Sequence, residues 1–148
     1  MTERLVLTQN RERETEFRAP DPRRPEDSTL HPIVHLHDLT PFGMLLAGLG
    51  ACTALILHAY AEHHGLALDE VEIRLTYDRV APEKCERCGQ TGRYEDRVTE
   101  EIALRGKLEE AERRKLLAVA HQCPVQKMLE KETRVDTFLA EEKAQAAA

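Results

Sequence analysis

The sequence predicts an α+β domain, and four stretches carry the prediction. DEVEIRLTYDRV, residues 69–80, alternates apolar and polar side chains with the period of a strand, and YEDRVTEEIALRG, residues 94–106, repeats the pattern after a polar loop. PFGMLLAGLGACTALILHAYAEHHG, residues 41–65, is apolar over far more residues than a strand uses. From Lys107 the apolar residues recur at helical spacing. Strands joined as a hairpin, with helices before and after, favour an antiparallel sheet over alternating parallel units.

At 148 residues the chain suits one domain with one core. Its expected parts are an N-terminal hairpin and proline-rich arm over 1–39, a core over 40–139 and a tail over 140–148. Residues 4–19 hold two short alternating runs around a polar centre, a hairpin with Phe17 turned inward. PDPRRPEDSTLHP carries four of the seven prolines and no hydrophobic period, so it reads as an ordered arm, free to cross to a second subunit. VHLHDL then makes a short extended piece, and Thr40 before Pro41 supplies a cap and a first-turn proline for the next helix.

That helix has no Asp, Glu, Lys or Arg from Pro41 through Ala61, which raises a membrane span as an alternative. Against a span stand Gly48, Gly50, several alanines, His58 and Tyr60, and the absence of a basic flank. A buried central helix with neighbours on every side is the expectation, and small residues at Ala47, Gly48, Ala51 and Cys52 allow close approach.

In the first strand Val71, Ile73, Leu75 and Tyr77 share one face, and Glu72, Arg74, Thr76 and Asp78 the other. In the second, Val98, Ile102 and Leu104 point inward, and Gly106 ends the strand. Leu116, Leu117, Val119, Ala120 and Cys123 then form the apolar stripe of a helix that turns Glu109, Glu110, Glu112, Arg113 and Arg114 to solvent. Pro124 stops that helix and opens another carrying Val125, Met128 and Leu129. TRVDTFLA is a candidate last strand.

Charge and cysteine usage bound the function. A net charge of −6 disfavours phosphate backbones and anionic lipid surfaces as partners, so neither nucleic acid nor membrane is expected. The first residues lack a secretory leader, which points to the cytoplasm, and four cysteines in a reducing compartment suggest redox chemistry or metal before structural disulfides. Cys123 precedes Pro124 at a helix start, where free N–H groups favour a thiolate. Equally, Cys123 and Cys52 are each small enough to be ordinary core residues.

The run LLAGLGACTALILHAYAEHHGLALDEVEIRLTYDR, followed by a hairpin and then by LRGKLEEAERRKLLAVAHQCPVQKML, resembles the OsmC/Ohr family. Its two signatures are an apolar helix with Gly-Ala-Cys, here Gly50 to Cys52, and a later Cys-Pro-Val, here Cys123 to Val125. The resemblance extends from about residue 40 to the C-terminus. It implies an intertwined homodimer in which curved, mostly antiparallel sheets wrap two central helices. It also implies a thiol-dependent peroxidase that reduces organic hydroperoxides, Cys52 attacking and Cys123 resolving, with an external dithiol as reductant and no resident cofactor. Hydroperoxide-reducing members carry a glutamate near the start of the first cysteine helix and a partner arginine. Here Phe42 and Gly43 hold the matching positions, and Arg11, Arg13, Arg18, Arg23 and Arg24 are equal candidates for the arginine.

KCERCG sets Cys85 and Cys88 in the loop between the two strands, where a solvent-exposed turn with no metal is the first expectation and redox exchange or half a zinc site the alternatives. It matches a branch of the resembled family with a Cys-x-x-Cys loop. A zinc site would need two further ligands, from a symmetry mate or from His35, His37, His63 or His64. The alternative to a peroxidase is a noncatalytic protein of the same fold that binds a small apolar ligand or senses oxidants.

Overall fold

The computed structural model describes residues 2–81 and 94–141. Over these the chain forms one five-stranded antiparallel sheet with its long helix packed on one face. The strands are β1 (Thr2–Asn10), β2 (Thr15–Ala19), β3 (His31–Pro32), β4 (Leu68–Val80) and β5 (Glu95–Gly106), in spatial order β3-β2-β1-β4-β5. The helices are α1 (Pro41–His63), α2 (Glu110–Ala120) and α3 (Pro124–Leu129).

Alternation decides the inner face. Leu5 and Leu7 of β1 and Val71, Ile73, Leu75 and Tyr77 of β4 are buried, with Leu5 opposite Leu75 and Leu7 opposite Ile73. β5 continues this face: Val98 lies opposite Tyr77, Glu100 opposite Leu75 and Ile102 opposite Ile73. Directly opposed residues of antiparallel strands project to the same side, so Glu100 is an inward position. On the outer face Glu72 is buried too, because the guanidinium groups of Arg105 (2.6 Å), Arg74 (3.6 Å) and Arg18 (3.8 Å) close over it.

α1 lies across this inner face. Its start is fixed from the strand side: Thr40 Oγ1 accepts from Gly43 N–H at 2.9 Å and donates to Glu3 Oε2 at 3.0 Å, with Pro41 in the first turn. Leu46, Leu49, Ala54 and Leu57 fill the helix–sheet interface. At Gly50 the backbone comes so close that a β-carbon would stand 2.9 Å from Leu75 Cδ1. α1 is long and apolar enough to cross a membrane by length and composition, and half of its most apolar stretch is buried inside this fold.

Several expectations need correction. The central helix does not find neighbours on every side within one chain: Met44, Leu45, Gly48 and Leu55 are exposed, because the sheet covers only one face of a helix that is apolar all round. The proline-rich arm contributes the short strand β3, and VHLHDL forms a 3-10 turn at Leu36–Asp38 where an extended piece is expected. α2 starts at Glu110, not Lys107, with the Glu112 carboxylate accepting from Glu109 N–H at 2.8 Å. Leu117 points to solvent, whereas Leu116 and Ala120 carry the packing. TRVDTFLA is not a strand; Val135, Phe138 and Leu139 are 80–96% exposed.

Candidate active site

The two signature cysteines, 71 positions apart in sequence, meet. Cys52 stands on α1, one residue before the buried Thr53, and is half-buried; Cys123 caps α3 and is fully buried. Both are free thiols, and Cys123 lies close enough to Cys52 to shift its ionisation. The meeting follows from two local signals. Leu116 and Ala120 bury the inner stripe of α2, and the turn after Ala120 carries Cys123 N–H back to the Ala120 carbonyl at 3.2 Å. Pro124 then restarts the chain as α3, which packs on α1.

Cys123 does not turn its sulfur to its own helix end: it makes no side-chain cap bond. The backbone N–H of Val125, in the first turn of α3, acts on Cys52 instead and favours its thiolate. The first turn of a helix has N–H groups without intrahelical partners, and Pro124 has none, so Val125 supplies the nearest free donor. Burial and the contact with Cys123 still push the Cys52 thiol above its ordinary value, and the negative charge of Glu100 pushes the same way. The groups acting most strongly on Cys52 include no arginine. Arg11 pairs with Asp69, Arg13 with Glu62, Arg18 with Glu72 and Arg23 with Asp21, all away from the thiols.

Glu100 is the residue that the sequence reading passed over. It is half-buried, and its Oε1 and the Thr53 hydroxyl oxygen are both buried without a closed hydrogen bond. Burial raises the Glu100 carboxyl above the usual range, and the nearby Thr53 hydroxyl and His121 ring oppose the rise. Buried polar atoms left unpaired cost about 1–3 kcal/mol each, so this pair is a candidate for contact with a bound molecule. The signal was in the alternation: Val98, Glu100, Ile102 and Leu104 occupy successive inward positions, and only one of the four is charged.

Glu100 also lines a cavity of about 640 Å³ between β5 and the α2–α3 region, together with Leu49, Val98, Ile102, Leu117 and His121. A second cavity, of about 450 Å³, opens by Arg11, Arg13 and His58 at the other end of α1, and neither cavity is lined by Cys52 or Cys123. Cys85 and Cys88 lie outside the described residues. The four histidines weighed as zinc ligands fall into two pairs, His35 stacked on His37 at 5.2 Å and His63 edge-on to His64 at 5.0 Å. Among the described residues no cluster of three or more His, Cys, Asp or Glu is arranged to hold a metal ion.

Residues 35–138 match the family described as OsmC-like protein. The chain belongs to the OsmC-like family. The architecture agrees: an OsmC-like hydroperoxide resistance protein from Jannaschia sp. CCS1 superposes with a TM-score of 0.60 at 15% identity, over 97% of this chain and 96% of that one. The organic hydroperoxide resistance protein OhrB of Bacillus subtilis gives a TM-score of 0.44 at 18% identity, over 86% and 89%. No curated protein sequence matches. For this OsmC-like chain the α+β, antiparallel-sheet fold expected from the sequence holds.

Proposed function

We propose that this OsmC-like protein is a thiol peroxidase that reduces organic hydroperoxides, with Cys52 as the attacking and Cys123 as the resolving cysteine. The observation that carries the reading is that the two free thiols come together, Cys123 and the Val125 N–H both acting on Cys52. Cys52 is the half-buried member and therefore the one a peroxide reaches; Cys123 behind it is sealed. Membership of a family that includes a hydroperoxide resistance protein from Jannaschia supports the same chemistry.

The steps balance. The Cys52 thiolate attacks one peroxide oxygen, the O–O bond breaks, and the alkoxide leaves and takes a proton to become the alcohol. Cys52 is then a sulfenic acid. The Cys123 sulfur displaces its oxygen as water, closing a disulfide before further oxidation. An external dithiol reduces that disulfide by exchange, as in a reducing cytoplasm. No resident cofactor enters the cycle. A second copy of the chain is the proposed cover for the exposed α1 stripe of Leu45, Gly48 and Leu55 and for the apolar C-terminal arm, giving the homodimer. Apolar surroundings at Cys52 favour alkyl hydroperoxides over hydrogen peroxide, since the alkyl part gains from burial.

The test is consumption of cumene hydroperoxide with dithiothreitol as reductant. Turnover that disappears in Cys52→Ser supports the reading; a fully active Cys52→Ser protein overturns it. A second reading, a noncatalytic protein that binds a small apolar ligand or senses oxidants, draws on the upward-shifted Cys52 thiol. Saturating turnover at micromolar peroxide removes it.

A further inference from the structure

We propose that Glu100 is the proton carrier of this thiol site, taking the proton of Cys52 and delivering it to the alkoxide that leaves the peroxide, a role that rests on the peroxidase reading. The geometry singles it out. The other acids buried in the sheet or facing inward from it have partners: Glu72 lies under three arginines, and Asp96 accepts from Tyr77 at 2.8 Å and from Arg79 at 3.3 Å. Glu100 has no ion pair among the described residues, and its Oε1 is buried without a hydrogen bond. It acts on Cys52 through space and faces Thr53, the next residue along α1, whose hydroxyl oxygen is also unpaired.

Its charge cannot serve to hold the thiolate, because a carboxylate beside Cys52 opposes ionisation of the thiol. Moving one proton from Cys52 to Glu100 removes that conflict, since thiolate and carboxylic acid together hold a single negative charge. The protonated carboxyl then faces the cavity of about 640 Å³, where Leu49, Val98 and Ile102 offer apolar surface to an alkyl group among the polar Asp96, His121, Gln126 and Glu130. When the O–O bond breaks, the alkoxide takes the proton from Glu100, and the carboxylate is restored. Cys52-SH and ROOH become Cys52-SOH and ROH with no proton left over. The titratable groups around Glu100 are Cys52 from α1, His121 and Cys123 from the end of α2 and the turn into α3, and Asp96 and Glu130 along the same cavity.

The test compares leaving groups in Glu100→Gln. Cumene hydroperoxide releases a strongly basic alkoxide that needs the proton, whereas peroxybenzoic acid releases a carboxylate that does not. Reduction of cumene hydroperoxide should fall by about a hundredfold or more, and that of peroxybenzoic acid by less than about fivefold. Alkylation of Cys52 by iodoacetamide, read on its peptide by mass spectrometry, should become faster, because a negative charge beside the thiol is gone. Equal losses on both peroxides, or alkylation slowed in step with reduction, overturn the proposal by making Glu100 a structural residue. Glu100→Asp, which retains an acid one methylene short, should give an intermediate rate on cumene hydroperoxide; a rate no better than that of the glutamine variant overturns the proposal as well. Full activity in Glu100→Gln overturns it alone, whereas full activity in Cys52→Ser removes the peroxidase reading and this proposal together.

Discussion

The backbone N–H of Val125 lies close enough to Cys52 to favour its thiolate, so the helix that Cys123 caps serves the other cysteine. A cap argument made on sequence favours Cys123 as the thiolate. The fold reverses it by crossing α1 over the start of α3, and the residue that gains a donor is the one more open to solvent.

Removing that donor should weaken the thiolate. In Val125→Pro the ring sits in the first helical turn, where proline is tolerated, and the N–H is lost while an apolar side chain stays against the core. Hydrogen bonds to charged groups contribute about 1.5–3 kcal/mol, so Cys52 alkylation near neutral pH should slow by about tenfold or more, with the far-ultraviolet circular dichroism unchanged. An unchanged alkylation rate would show that the donor does not reach the thiolate in solution.

Cys123→Ser separates attack from resolution. The variant should consume one equivalent of cumene hydroperoxide per site and stop, with Cys52 trapped by dimedone as sulfenic acid. Continued turnover at the wild-type rate would mean that the external dithiol resolves Cys52 directly and Cys123 only packs.

Much of this was legible in the sequence. Period-two alternation identified β4 and β5 and their inner faces, Thr40-Pro41 located the start of α1, and the Ala120–Cys123 stripe turned the second thiol inward. What was not legible depends on partners from distant segments. Glu72 reads as a solvent residue until three arginines from β2, β4 and β5 close over it. Glu100 reads as an ordinary charge because its neighbour Glu101 is one, although only Glu100 occupies an inward position. TRVDTFLA has strand-like residues, yet it pairs with neither edge of the sheet, β3 or β5, and a strand forms only where it pairs.

Gly106 marks the end of β5 for a steric reason. Its φ is +146°, and a β-carbon there would lie 1.9 Å from the Ala67 carbonyl oxygen, a backbone atom that cannot move aside cheaply. Gly106→Ala should therefore destabilise the protein by about 3 kcal/mol in urea denaturation. Gly50→Ala meets only the end of the flexible Leu75 side chain and regains helix propensity, so its loss should stay near about 1 kcal/mol. A reversed order would mean that the β4–β5 end relaxes more readily than the helix–sheet seam.

Two groups shifted by burial, His58 and Glu100, should pull stability in opposite directions as the pH falls. His58 is buried with its Nε2–H donating to the Gln9 carbonyl at 3.0 Å, and burial holds its pKa below the ordinary 6.5. Its contribution is therefore present above pH 6.5 and lost as the pH falls towards the depressed value, because the unfolded state takes up the proton first. Glu100 has the opposite sign. Burial lifts its carboxyl above the ordinary 4.5, so its contribution is complete below pH 4.5 and lost as the pH rises through the raised value. Urea midpoints measured between pH 8 and pH 4 separate the two. His58→Gln retains a donor for the Gln9 carbonyl without a titrating ring and should lose less stability than wild type below pH 6.5. Glu100→Gln should be the more stable protein at pH 7, and its advantage should vanish by pH 4.5; an advantage that stays constant across that window would mean that Glu100 is solvated and titrates as it does in the unfolded chain.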